Sequence, residues 1–359
     1  MKTGFSIPES DEGIKNFQKC VKNGDSGWLS GGLTFSILSV RIPGMTNKNS
    51  SESLQTRLML PGDWDEVAQL IFLSLDVWNE KNRGFQLPDR DWKSMRVFPR
   101  VYEGLDPNCC VLVVDSANGR IAGSCFFHPR PRHVALGILN THPDYFHRGV
   151  GSRLLRYVID LAEKQGKPLR LVSGTTNLDS FSLYNKAGFV PTCLFQDMTV
   201  SVPPEGFPVD APEGTLIRDA TETDIPAMVA LEMELSGVQR EQDYRFFLKN
   251  EGNIWKTAVL FGSSGRLDGF MVSVCDPGSN MLGPGIVRSE EQGAALVRYA
   301  LSQHRGRSPV WLVPSRCRTL LDAMYALKAK NCDLHVSQVL GEEYPVSGII
   351  FPTFMPETG

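Results

Sequence analysis

The chain has 359 residues, 42% of them hydrophobic, which suffices for two ordinary cores and excludes a largely disordered protein. A net charge of −3 argues against nucleic acid as the main partner, and no apolar run is long enough to cross a bilayer. Eight cysteines without a Cys-x-x-Cys pair, mostly in apolar runs, exclude a disulfide framework and predict reduced thiols in the cytoplasm.

Residues 1–55 read as an N-terminal extension, with one short helix over 14–21 and a polar linker around Asn47–Ser53. The apolar run 33–40 follows acidic residues and is too short for a signal peptide or anchor. A first domain is expected over 56–200. Thr56–Leu60 is a strand, and Asp63 opens a helix with Val67, Leu70, Ile71 and Leu75 on one face. From Trp78 to Pro107 the pattern is irregular, and a ligand-binding loop and a helix pair both stay open. Two β-rich runs flank Ser116-Ala117-Asn118-Gly119, a hairpin signal. A strand over Val134–Leu139 leads through a glycine loop to a helix over Arg153–Ala162. A strand at Leu169–Ser173, a helix stopped by Gly188 and a closing strand from Pro191 to Val200 complete the domain.

A proline-stiffened linker spans 201–213. A second domain over 214–345 repeats the order: strand, helix, hairpin around Ser263-Ser264-Gly265, helix, strand, helix. Residues 346–359 read as a tail. The repetition predicts a duplicated fold of mixed α/β (α+β) class. Each copy should carry a mostly antiparallel sheet flanked by helices, because hairpins open both.

The stretch with chemical content is Thr141-His142-Pro143-Asp144-Tyr145-Phe146-His147-Arg148-Gly149-Val150-Gly151-Ser152. Gly149 and Gly151 let the backbone approach a ligand, and the free amides at the helix start suit a phosphate or pyrophosphate. Arg148 and Arg153 add charge, and no carboxylate opposes an anion in the first turn. No Lys-Ser/Thr follows, so this is not a Walker loop, and the spacing is not the dinucleotide fingerprint. On these residues alone a plain strand-to-helix turn stays open. The six histidines show no metal-ligand spacing, so no metal is expected.

A second motif follows: Asn177-x-x-Ser180-x-x-Leu183-Tyr184-x-x-x-Gly188-Phe189. Together with Phe146-His147-Arg148-Gly149-Val150-Gly151, in this order and with a strand between, it resembles the GNAT superfamily of acyl-CoA-dependent N-acyltransferases over residues 56–200. Phe146 stands where that family usually has Gln or Arg. Proteins with two such domains in tandem are known in the superfamily, and the second domain looks like a diverged copy. Its equivalent helix starts Ser289-Glu290-Glu291, which would repel a pyrophosphate, so only the first domain is expected to bind CoA.

The resemblance implies acetyl-CoA as co-substrate and an amine acceptor. Main-chain groups of Leu139, Asn140 and Thr141 would line the pantetheine arm. Phe146, His147, Arg148, Gly149, Val150, Gly151 and Ser152 would hold the pyrophosphate. Asn177 and Ser180 would touch the cofactor from the other side, and Tyr184 would protonate the leaving thiolate. Read as residues, Asn177 is a helix cap as well as a candidate ligand, and a core tyrosine is the alternative reading of Tyr184. His142, Asp144, His133 and Glu80 are candidates for the base by position only. The leading expectation is an N-acetyltransferase for a small amine or amino acid. A protein acceptor, a non-catalytic acyl-CoA-binding module and an interaction protein are the alternatives. Oligomeric state is left open.

Overall fold

Hydrophobic alternation broken at Asn118-Gly119 builds the first hairpin in the computed structural model, which describes residues 53–84, 86–87 and 91–357. β2 (Cys110–Asp115) turns through Gly119, at a φ of +75°, into β3 (Arg120–Pro129). β1 (Leu54–Leu58) flanks β2 and β4 (Val134–Thr141) flanks β3, all antiparallel. Successive strand residues face opposite sides, and both sides are apolar. One packs on α1 (Trp64–Arg83) and α2 (Val97–Leu105), the other on α3 (Val150–Lys164). β5 (Leu169–Gly174), α4 (Leu178–Lys186) and β6 (Val190–Thr199) follow.

Of the two readings of Trp78–Pro107, the helical one is found: α1 runs on to Arg83, and a 3-10 turn at Trp92–Arg96 leads into α2. Pro99 lies in the first turn of α2, where a missing N–H costs nothing. The helix expected over 14–21 lies outside the described residues.

The second half repeats the series element for element. It comprises β7 (Leu216–Asp219), α5 (Ile225–Ser236), α6 (Glu241–Lys249), β8 (Trp255–Phe261), β9 (Leu267–Asp276) and β10 (Ser279–Val287). α7 (Glu290–Leu301), β11 (Val310–Pro314), α8 (Arg318–Ala326) and β12 (Lys330–Leu340) complete it. Duplication, read from the order of elements alone, is thus present in space, and each half is a mixed sheet between helices.

The halves do not close separately. The 13-stranded sheet runs β1-β2-β3-β4-β5-β12-β6-β11-β10-β9-β8-β7. β6, expected to close the first domain, pairs instead with β11 and β12, and β12 takes the place beside β5. Each half therefore lends its last strand to the other. One apolar core also crosses the boundary, joining Tyr102 and Phe126 of the first half to Ile225, Met228, Tyr244 and Phe247 of the second.

The stretch 346–359, expected as a tail, is corrected too. Ile349–Phe351 form β13, which pairs with β10, and Phe351, Thr353 and Met355 are buried. A Cβ on Gly283 would come 2.7 Å from the Pro352 carbonyl oxygen, so glycine is what lets this segment lie so close.

Candidate active site

β4 and β5 are parallel, but only Val134 with Leu169 and Ala135 with Arg170 are in register; beyond these pairs the strands part. An irregularity in the β3–β4 ladder, between the Cys125–Leu139 and Phe127–Leu136 pairs, bends β4 at the same level. Leu139, Asn140 and Thr141 pair with Cys125, Ser124 and Gly123 on one side and have no strand partner on the other. The result is a wedge at the carboxyl ends of two parallel strands, a place where such sheets admit ligands.

The glycine loop meets this wedge. His142 caps a short turn, Pro143–Tyr145, by accepting from the Asp144 amide. His147 and Gly149 then take positive φ, 61° and 77°, and Gly149 is the N-cap of α3 without any side-chain cap. The amides of Val150, Gly151 and Ser152 have no backbone acceptor among the described residues. A Cβ on Gly151 would lie 3.4 Å from Leu183, 3.6 Å from the Thr141 hydroxyl and 3.9 Å from Leu139. Gly151 therefore sits where β4, α3 and α4 converge. Its missing side chain keeps that junction open.

Charge is distributed unevenly. The Arg148 guanidinium lies 4.6 Å over the Tyr145 ring, beside the loop. Arg153 instead turns to the Leu54 carbonyl of β1, so its head is spent on the sheet edge. Phe146 is 42% exposed, and its ring contributes no charge at the position where Gln or Arg is usual in the resembled family.

α4 brings the second motif. The Asn177 side chain accepts from the Ser180 amide at 3.2 Å, so Asn177 caps the helix. Tyr184 is 6% exposed, with its ring 5.8 Å from that of Phe189. Burial, with smaller contributions from Cys125 and Glu357, raises its hydroxyl well above the usual tyrosine range, so it holds its proton at neutral pH.

None of the four positional base candidates enters the wedge. His142 faces Arg120 at 2.9 Å, and Asp144 pairs with the same arginine. His133 is buried at the start of β4, and Glu80 is bonded to Gln86. Three side chains not named as candidates for the base, His128, Tyr102 and Glu357, form a connected group. His128, on β3, holds Asp106 at 2.6 Å through Nδ1, while its buried Nε2 has no hydrogen-bond partner and would lie 3.1 Å from a Cβ on Gly137 of β4. Tyr102 stacks on His128, with ring centres 5.0 Å apart, and donates its hydroxyl to Glu357. An alternation reading of β3 would have shown His128 pointing to the same face as Phe126. Nothing in the sequence marked Glu357.

On β6 and β12, Asp197, Asp333 and His335 bring ligand-type atoms within 4.8 Å of one another. They already satisfy one another and their neighbours: Arg83 binds Asp333, and His335 lies 2.8 Å from Asp197.

The equivalent wedge in the second half is filled. β10 and β11 are parallel and register only at Met281 with Val310, but β13 adds to β10 from Gly285 to Val287. The Ser289 hydroxyl caps α7, and Glu290 and Glu291 occupy its first turn. Tyr325 of α8, at the place that echoes Tyr184, is 47% exposed and bonds Gln196 at 2.5 Å.

Gly123 of β3 supports the loop from below. A Cβ there would lie 2.5 Å from Val150 and 2.8 Å from the Asn140 carbonyl. Gly123→Ala should push the first turn of α3 outward, costing about 1–3 kcal/mol as a lowered denaturation midpoint and weakening nucleotide binding in calorimetry.

Residues 72–189 match the model of the acetyltransferase (GNAT) family. Over 72 residues the chain is 35% identical to the UPF0157 protein YqkA of Bacillus subtilis, covering 20% of this chain and 21% of that protein, so it spans about a fifth of that relative's length. A Pyrococcus horikoshii structure, provisionally named an acetyltransferase, superposes with a TM-score of 0.64 at 14% identity, over 86% of this chain and 96% of that one. A GCN5-related N-acetyltransferase from Sphaerobacter thermophilus gives 0.56 at 18% identity, over 80% and 96%. A tandem GNAT protein from the clavulanic acid biosynthesis pathway gives 0.55 at 16% identity, over 80% and 98%. At these identities the likeness concerns the fold, and it extends over both halves.

Proposed function

We propose, for a chain whose residues 72–189 match the acetyltransferase (GNAT) family, that it moves an acetyl group from acetyl-CoA to a primary amine of a small molecule or amino acid. The observation that carries this reading is the open β4–β5 wedge abutting the uncapped start of α3, with Gly151 at the junction.

The residues fit the co-substrate. Amides of Val150, Gly151 and Ser152, at the positive end of α3, suit a pyrophosphate, with Arg148 beside them. The unpaired edge of β4 at Leu139, Asn140 and Thr141 suits the amide groups of a pantetheine arm. Acetyl-CoA supplies the activated acyl group as a thioester. Tyr184 is the acid for the departing sulfur, and an amide of β4 polarises the carbonyl. The wedge fixes donor and acceptor against each other. Asn177 and Ser180 act first through the cap they form, which sets the start of α4 and with it the direction of Tyr184.

Among the described residues no helix is long and apolar enough to cross a membrane. The seven described cysteines are free thiols, which supports a reducing compartment such as the cytoplasm. Because β13 fills the second wedge and acidic residues crowd α7, calorimetry with CoA should give one site per chain. Two sites would defeat this assignment.

The decisive test is CoA release from acetyl-CoA across a panel of amines, amino acids and aminoglycosides. Amine-dependent release supports the reading. Binding without release on any acceptor would make the domain an acyl-CoA-binding module. Absence of a CoA-induced melting shift would leave an interaction protein.

A further inference from the structure

The segment that follows β13 does not leave the molecule. It runs from Pro352 to Glu357 beneath the first half, with Thr353 and Met355 buried. Phe354 lies against the His335 ring of β12, centres 4.3 Å apart, and its carbonyl accepts from the Tyr102 hydroxyl at 3.2 Å. The same hydroxyl donates to the Glu357 carboxyl. A cavity is lined by Glu357 together with Ala135 of β4 and Arg170 of β5, the last pair in register before the two strands part, so the carboxyl borders the foot of the wedge.

We propose that Glu357, carried to the foot of the wedge by the segment after β13, is the base that takes the proton from the attacking amine. This rests on the acyl-transfer reading above. The amine nitrogen bonds to the thioester carbonyl carbon and its N–H proton passes to Glu357. The C–S bond breaks, sulfur keeps the electron pair, and Tyr184 supplies the proton that makes the thiol. Each turnover leaves Glu357 protonated and Tyr184 deprotonated, and exchange with solvent restores both.

Burial raises the Glu357 carboxyl to about 8, partly offset by the Tyr102 hydroxyl, which favours the carboxylate. A base works best near the operating pH, and this one is charged above that value. Arg170 of β5, Glu232 of α5 and Arg240 line its cavity, Tyr102 of α2 bonds it, and His128 of β3 stacks on Tyr102; Cys125 of β3 and Tyr184 of α4 are buried in the core on the other face. Glu232 is held by Arg240 and Tyr244. Cys125 and Tyr184 stay neutral through this range because burial raises both. Burial lowers His128, which leaves its ring neutral there.

The test measures kcat/KM against pH with an acceptor that the wild-type chain acetylates, and acetyl-CoA affinity by calorimetry. The wild-type profile should rise with pH through a midpoint near 8. Glu357→Gln should flatten that rise and lose about 100-fold or more at its top, with affinity held within about threefold. Tyr102→Phe keeps the ring and removes the hydroxyl, so it should move the midpoint upward. Glu357→Asp guards against a folding failure: it should keep the rise at a reduced rate. A Gln variant with an unchanged or faster rate overturns the proposal, as does one whose rate falls only in step with acetyl-CoA affinity. If the wild-type chain acetylates no amine, the acyl-transfer reading fails instead.

Discussion

Tyr184→Phe should lower kcat by about 100-fold while acetyl-CoA affinity stays within about twofold. The ring is what packs: it lies against Phe189 in the core around α3, and phenylalanine keeps that contact. On the proposed reading, the hydroxyl is the acid. Burial raises its pKa, so the proton is present at neutral pH, as an acid requires. Stopped assays of thiol release, with calorimetry on the same samples, separate the two contributions. A variant with the wild-type rate and an unchanged pH profile would reduce Tyr184 to a packing residue.

The second large effect concerns the halves. Residues 53–200 and 201–357, produced as separate chains, should each fail to fold cooperatively, whereas co-expression should restore a complex that binds CoA. Alone, the first chain has β5 without β12 and β6 without either neighbour. It also exposes Tyr102, Phe126 and Phe195, all buried within one core shared with the second half. Burying one such aromatic is worth about 1.5–3 kcal/mol, so losing several removes most of the roughly 5–15 kcal/mol that holds a typical domain folded. Circular dichroism during urea unfolding reads this directly. A first half that unfolds in one sharp transition by itself would refute it.

Local chemistry was legible in the sequence, and long-range pairing was not. Asn118-Gly119, the glycines at 149 and 151 and the Asn177 cap act within a few residues of themselves, so the hairpin, loop and helix starts could be read in place. The strand exchange could not. β6 finds β12 across more than a hundred residues, and β12 carries Asp333, His335 and Gln338, which hide its strand pattern. His335 and Gln338 look like surface residues in a string, yet the first pairs with Asp197 and the second bonds Ser173 across strands. Glu357 was illegible for a similar reason. Pro352-Thr353-Phe354-Met355-Pro356-Glu357 has the composition of a loose end, and only β13, by pairing with β10, carries it into the fold. The wedge itself follows from where register stops, a property of two strands together.

The exchange also bears on biogenesis. A nascent chain emerges from the ribosome with its first half complete in sequence, but β5 lacks β12 and β6 lacks both neighbours until β11 and β12 have been made. Throughout that interval these bare strand edges and an uncovered apolar surface face the crowded cell, open to pairing with other chains. Yield should therefore depend on translation speed and chaperone supply more steeply than the stability of the finished protein would suggest.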